Sequence, residues 1–364
     1  MAGDREGTDG HRSGLRVVVV GATGNVGTSV VRALSEDERV GSVLGLARRS
    51  CRLSVAKTEW SCVDIGDRRT DLAPHFQGAD AVVHLAWLFQ PTHDPVTTWR
   101  TNVDGSVRVF DAVARSGVPA LVHASSVGAY SPGPKEEYVD ESWPTHGWPR
   151  AAYCREKAYL ERVLDAFEER NPDVRVVRMR PGFLFKRESA SEQRRLFAGP
   201  LVPQRLARPA LLPAVPDIPG LRFQALHTDD AADAYRRAVL HPVRGAFNLA
   251  AAPVIDSAQL AGLLGARTMR LPLRPLRSAL AAAWRLRLVP ASPDLFDAVL
   301  RLPLLDTTRA RTELEWSPGR SATEAVDEFV RGLYQVAGAD TAPLASRLPG
   351  GRARELATGV GRRP

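Results

Sequence analysis

Tyr153 and Lys157 stand four residues apart in Tyr153-Cys154-Arg155-Glu156-Lys157. That spacing sets both side chains on one face of a helix, one turn apart. A free phenol titrates at a pH of about 10. A neighbouring ammonium favours the phenolate, so such a pair can give and take a proton nearer neutrality. Ser126 follows the apolar run Ala120–His123 by way of Ala124-Ser125, and a hydroxyl there can hydrogen-bond the carbonyl or alcohol on which that proton acts. A second group lies near the start. Gly21-Ala22-Thr23-Gly24-Asn25-Val26-Gly27 follows Val17–Val20 and leads into Val30, Val31 and Leu34, an apolar helical face. Glycines so spaced permit a tight turn, admit a pyrophosphate close to backbone N–H groups, and let the helix pack on the strand. The helix N-terminus then faces the anion.

These residues need a scaffold that brings strand ends together. Short apolar runs alternating with helical patterns predict parallel strands at Arg16–Val20, Val40–Leu46, Glu59–Val63, Ala81–Leu85, Ala120–His123 and Val174–Met179. An amphipathic helix carries Val103, Val107, Phe110 and Ala114; another runs from Tyr153 to Glu169, closed by Asn171-Pro172. The expected fold is α/β: a doubly wound parallel sheet (Rossmann type) with a smaller mixed α/β substrate-binding lobe. Residues 15–180 form the dinucleotide domain, to which strand and helix at about 223–250 return. Residues 181–222 and 251–335 form the lobe, and 1–14 and 337–364 are polar, flexible ends. Asp229 and Asp230 are expected to cap the returning helix, and Asn102 to cap the one before Ala120. Prolines at 200, 203, 209, 213, 216 and 219 mark irregular chain.

The second strand ends Gly45-Leu46-Ala47-Arg48-Arg49. A site for NAD usually places a carboxylate there to accept from the ribose hydroxyls. Ala47 takes that slot and Arg48 follows, as a 2′-phosphate would require. NADP(H) is therefore favoured over NAD(H).

The motifs resemble, in order and spacing over about residues 15–335, the extended short-chain dehydrogenase/reductases, the NAD-dependent epimerase/dehydratase family. Besides those above they include Val63-Asp64-Ile65, His84-Leu85-Ala86, Thr101-Asn102-Val103-Asp104-Gly105, Arg180-Pro181-Gly182 and His227-Thr228-Asp229-Asp230. The resemblance implies that Tyr153 is the proton donor and acceptor, that Lys157 holds the nicotinamide ribose, and that Ser126 orients the reacting oxygen. It implies that Asn102 supports a proton relay. Asp64 would meet the adenine amino group with Ile65 against the ring, while Leu85, Ala86 and Pro181 line the cofactor alongside Gly21, Thr23, Gly24, Asn25, Val26 and Gly27. Relatives pair through the helices of Asn102 and Tyr153, which implies a homodimer.

Dehydratases of the family carry an acidic pair directly after the catalytic hydroxyl; Val127-Gly128-Ala129 stands there. Nucleotide-sugar epimerases often place Asn three residues past the strand-six arginine, where Phe183 stands. A reductase or dehydrogenase acting on a fairly apolar small molecule is therefore expected. A nucleotide-sugar epimerase with tightly held NAD is the alternative, and a non-catalytic NADP-binding sensor a further one. The 364 residues carry a net charge of +8, with lysine only at 57, 135, 157 and 186. These cations are interspersed with carboxylates, so no nucleic-acid partner is expected. Three cysteines without ligand spacing imply neither metal nor disulfide framework. No apolar stretch is long enough to span a bilayer, so a cytoplasmic protein without a membrane partner is expected.

Overall fold

Val17, Val18, Val19 and Val20 are all buried to within a few per cent, because the strand they form is covered on both faces. Val17 and Val19 join one hydrophobic cluster, Val18 and Val20 the other. Each such side chain contributes on the order of 1.5–3 kcal/mol relative to exposure. The computed structural model describes residues 14–201 and 213–348, with Gly351 and Val360 beyond. The expected flexible start, Pro203, Pro209 and most of the chain past 348 lie outside the described residues.

Seven parallel strands form the central sheet: β1 (Leu15–Val20), β2 (Val40–Ala47), β3 (Thr58–Cys62), β4 (Ala81–His84), β5 (Ala120–Ala124), β6 (Arg175–Pro181) and β7 (Gly245–Leu249). Their spatial order is β7-β6-β5-β4-β1-β2-β3. The order reverses between β1 and β4, so a crevice opens at their carboxyl ends, where ligands of such sheets bind. Helices α1 (Asn25–Glu36) and α4 (Thr228–Leu240) cover one face; α2 (Gly105–Arg115) and α3 (Ala152–Arg170) cover the other. This is the doubly wound α/β fold expected of the sequence.

The smaller lobe is built from short pairs and helices. Phe183–Phe185 pairs with Ala225–His227, and Ala214–Asp217 with Arg267–Arg270. Helices α5 (Leu273–Arg285), α6 (Pro293–Val299) and α7 (Ala322–Gln335) complete it.

Three expectations are corrected. Asn102 is no helix cap: helical chain already begins at Pro95, capped by Asp94, whose carboxylate accepts from Thr97 N at 3.2 Å. Asp followed by Pro is the stronger start signal. Asn102 instead sits fully buried in a wide turn between that helix and α2. Likewise α4 is capped by His227, whose Nδ1 accepts from Asp229 N at 3.2 Å, with both aspartates in the first turn. Residues 337–348, the first part of the expected flexible tail, are docked rather than free. Leu344 is wholly buried. Thr341 donates to the Thr23 carbonyl at 2.9 Å, and Arg195 donates to the carbonyls of Pro343 and Ala345 at 2.7 Å.

Candidate active site

A cavity of about 840 Å³ occupies the crevice above β1, β4 and β5. Gly21, Thr23, Gly24, Asn25, Val26 and Gly27 line one end, with Arg48 and Ile65 farther along. The chain here packs so closely on itself that only glycine fits at two positions. Gly21 takes φ +89°, and a Cβ on it would stand 2.6 Å from Ala86 N. A Cβ on Gly27 would stand 2.3 Å from the Gly21 carbonyl. No side chain caps α1 at Gly24, so its first N–H groups face the cavity, an arrangement suited to an anion. Leu85, Ala86 and Pro181 also line it. These residues fit a nicotinamide dinucleotide.

Ser126, Tyr153 and Lys157 meet at the middle of the same cavity. Strand β5 runs out at Ala124 and delivers Ser126, while the first turns of α3 deliver the other two. Burial is the largest influence on the Tyr153 phenol and raises its pKa well above the usual range; a hydrogen bond with Ser126 opposes it. The sequence expects Lys157 to lower that pKa, and in the structure the ammonium is engaged elsewhere. Its Nζ donates to the Ala124 carbonyl at 2.5 Å and lies 3.5 Å from the centre of the Trp87 ring. Burial lowers Lys157 itself to about 7.

That shift carries a sign. Between about pH 7 and 10 the unfolded lysine holds a proton that the folded one does not, so stability rises with pH across this window. The wild type should gain on the order of 2 kcal/mol more than Lys157→Met between pH 7 and 9. Denaturant titrations of both proteins check this, and parallel pH responses would refute it.

Two assigned residues lie outside the cavity lining. Asp64 is exposed, and its carboxylate accepts from Gly66 N at 2.8 Å, closing its own turn. Asn102 holds the loop after β4: its Oδ1 accepts from Leu88 N at 2.7 Å, and its Nδ2 donates to Leu88 O at 2.9 Å and to Glu156 Oε2 at 2.7 Å. Its amide is thus engaged within the protein and fixes the loop position.

That loop shapes the reacting end. Phe89 stacks on Tyr153 with ring centres 5.1 Å apart, and Trp87 meets the same ring edge-on at 5.6 Å. Leu196, Phe197, Leu280, Leu295, Phe296 and Val299 extend an apolar wall beyond it. Phe183, which the sequence places at this end, lines the cavity, but the wall is not legible in the sequence, because helical spacing alone cannot tell a lobe helix's inner face from its outer one. Arg194 lines this end too, and its Nη1 donates to the Gly199 carbonyl at 2.8 Å.

Beneath the site lies a buried charge network. Glu161, one turn past Lys157, accepts from Ser125 Oγ at 2.6 Å, from Arg180 Nε at 3.0 Å and Nη2 at 2.9 Å, and from Arg178 Nη1 at 3.1 Å. Burial, the largest influence, would raise its pKa, but Arg180, Arg178 and Ser125 together hold it down to about 2. Arg180 also donates to Tyr130 Oη, which donates to Asn248 Oδ1 on β7 at 2.7 Å.

The profile of the NAD dependent epimerase/dehydratase family matches residues 17–250. The chain is 26% identical over 318 residues to an uncharacterised protein of Mycobacterium tuberculosis (strain ATCC 25618 / H37Rv), covering 86% of this chain and 30% of that protein. The chain thus spans less than a third of that relative's length. It is 33% identical over 109 residues to the decarboxylating sterol-4-alpha-carboxylate 3-dehydrogenase of Saccharomyces cerevisiae, covering 29% of this chain and 30% of that enzyme. The solved UDP-glucose 4-epimerase of Thermus thermophilus, complexed with NAD, superposes with a TM-score of 0.65 at 20% identity, covering 88% of this chain and 99% of that one. Among the described residues no helix is long and apolar enough to cross a membrane. With its glycine loop, its Ser126, Tyr153 and Lys157 in one cavity and this match over most of its length, the chain belongs to the NAD-dependent epimerase/dehydratase family.

Proposed function

We propose that the protein is an oxidoreductase that moves a hydride between a nicotinamide and a carbonyl or alcohol of an apolar small molecule. The observation carrying this reading is the meeting of Ser126, Tyr153 and Lys157 with an apolar wall in one cavity. The bound nicotinamide supplies or takes up the hydride. The Tyr153 hydroxyl gives its proton to the substrate oxygen in reduction and recovers it in oxidation. Ser126 hydrogen-bonds that oxygen and keeps it in line with the phenol. Lys157 holds the ribose hydroxyls and, once beside the phenol, stabilises its anionic form. Phe89 and Trp87 fix the plane of the Tyr153 ring and exclude water around it.

The epimerase alternative draws on the superposition with a UDP-glucose 4-epimerase. A diphosphate clamp needs guanidinium groups near the reacting end, and among the described residues the Arg194 side chain there is tied to the Gly199 carbonyl. That favours the oxidoreductase. We further propose a homodimer through the Asn102 and Tyr153 helices, since Val96 and Tyr159 on that face are exposed.

For the cofactor we propose NADP(H). Arg48 is exposed at the adenosine end of the cavity, and Ala47 leaves no carboxylate to repel a 2′-phosphate. Fluorescence titration should show NADPH binding at least about tenfold tighter than NADH, with the difference collapsing in Arg48→Asp. Tighter NADH binding, or a nucleotide that co-purifies and does not exchange, would overturn the assignment and move the epimerase reading ahead.

A further inference from the structure

From Ser257 to Ser292 the chain carries six arginines, at 267, 270, 274, 277, 285 and 287, and no aspartate or glutamate. Arg277 turns inward to Asp297 at 2.8 Å, and Arg270 lies 3.8 Å from Asp217. Among the described residues, Arg267, Arg274, Arg285 and Arg287 have no carboxylate within 4.0 Å. The cations therefore face outward without counter-charge.

Apolar side chains protrude among them. Arg285-Leu286-Arg287-Leu288 ends α5 with all four residues exposed, Leu286 to 70% and Leu288 to 42%. Leu201, exposed to 49%, lies two residues past Gly199, which abuts Pro290 and the Leu288 carbonyl. The tip is held firmly from behind: Trp284 stacks on His93 with centres 4.1 Å apart and donates to Thr92 Oγ1 at 3.0 Å. It also adjoins the cavity, since Leu280 and Ala291 on either side of it are lining residues.

We infer that the Leu201 and Arg285–Leu288 tip docks on an anionic phospholipid bilayer, placing the cavity mouth where an apolar substrate dissolves. Leucines on such a tip enter the acyl boundary while flanking arginines reach lipid phosphates. Each basic residue near an anionic surface adds to the attraction. Nucleic acid offers the charge without an apolar phase for Leu286 and Leu288, so it fits less well. Docking at a surface needs no spanning helix, which revises the expectation of no membrane partner. The inference rests on the apolar-substrate reading for its purpose, while vesicle binding without substrate tests the surface by itself.

The full chain should be sedimented with vesicles of phosphatidylcholine alone and of phosphatidylcholine mixed equally with phosphatidylglycerol. Binding is expected to the mixed vesicles only. It should fall at least about tenfold in Leu286→Asp/Leu288→Asp and clearly in Arg285→Gln/Arg287→Gln. Arg115→Glu, on α2, removes the same net charge as either double variant and should bind like wild type. Equal loss in Arg115→Glu, equal binding to phosphatidylcholine alone, or no binding would overturn the inference. So would a leucine variant that converts a dimer into a monomer by light scattering, because the tip would then be a contact between copies. Failure here leaves the Tyr153 chemistry standing, since that is read by turnover in vesicle-free buffer.

Discussion

Tyr153→Phe is expected to lower turnover by about 10²–10⁴-fold, the usual worth of a positioned general acid or base. The substitution keeps the ring that stacks on Phe89 and meets Trp87, and removes only the hydroxyl bonded to Ser126. Nucleotide affinity and the unfolding midpoint should therefore stay near wild type, because one neutral hydrogen bond contributes only about 0.5–1.5 kcal/mol. The measurement is the change in nicotinamide absorbance with a carbonyl substrate found by screening, beside a nucleotide titration of the same preparation. Turnover within about tenfold of wild type would remove Tyr153 from the proton transfer. Turnover absent from both proteins across a broad carbonyl and alcohol screen, with nucleotide still bound, would favour the sensor reading instead.

Glu161→Ala is expected to cost about 3–5 kcal/mol of stability, among the larger effects a single side chain can have. Glu161 is the shared partner of Arg178 and Arg180, all three nearly inaccessible to water. Its removal leaves Arg180 inside the protein without a carboxylate, and Arg178 with only the more exposed Asp165 and Glu168. Glu161→Gln retains the shape and some hydrogen bonding and should fall between. Denaturant unfolding at neutral pH decides the matter, and a loss below about 1 kcal/mol for the Ala variant would mean that water reaches the arginines after all.

The middle of the sheet was legible because β1, β4 and β5, buried on both faces, write themselves as mostly apolar runs, whereas the edge strand β3 has no buried residue. All six runs picked out in the sequence lie on observed strands, with ends differing by a residue or two. The phosphate loop and the Ser126, Tyr153 and Lys157 trio were legible because each depends on short spacing. The Glu161 network could have been found in the same way. Glu161 is one turn past Lys157 on the buried face of α3, and Arg178 and Arg180 alternate on β6, so the pattern implies an internal pairing. Other features were not legible because they depend on distant chain. The role of Asn102 comes from the Leu88 backbone and from Glu156, two segments that nothing local predicts. The apolar wall draws on Phe197, Leu280 and Phe296, which only the folded lobe brings together. The tail was judged as one unit over 337–364, which hid that its first part is mostly small and apolar and docks through Leu344 and Thr341.

The bond from Thr341 to the Thr23 carbonyl spans 318 residues, and it bears on how the protein is made. Synthesis runs from the N-terminus, so the phosphate loop leaves the ribosome long before the segment that finishes its surroundings. Pairing of β1 with β4, and of β6 with β7, already waits for later chain, as parallel sheets do. Pro343 is part of the cavity lining, so a nascent polypeptide stalled before it can assemble the sheet yet still present an unfinished nucleotide pocket. The nucleotide pocket is therefore complete only once Pro343 has emerged and docked, and until then the half-built sheet depends on its own packing for protection.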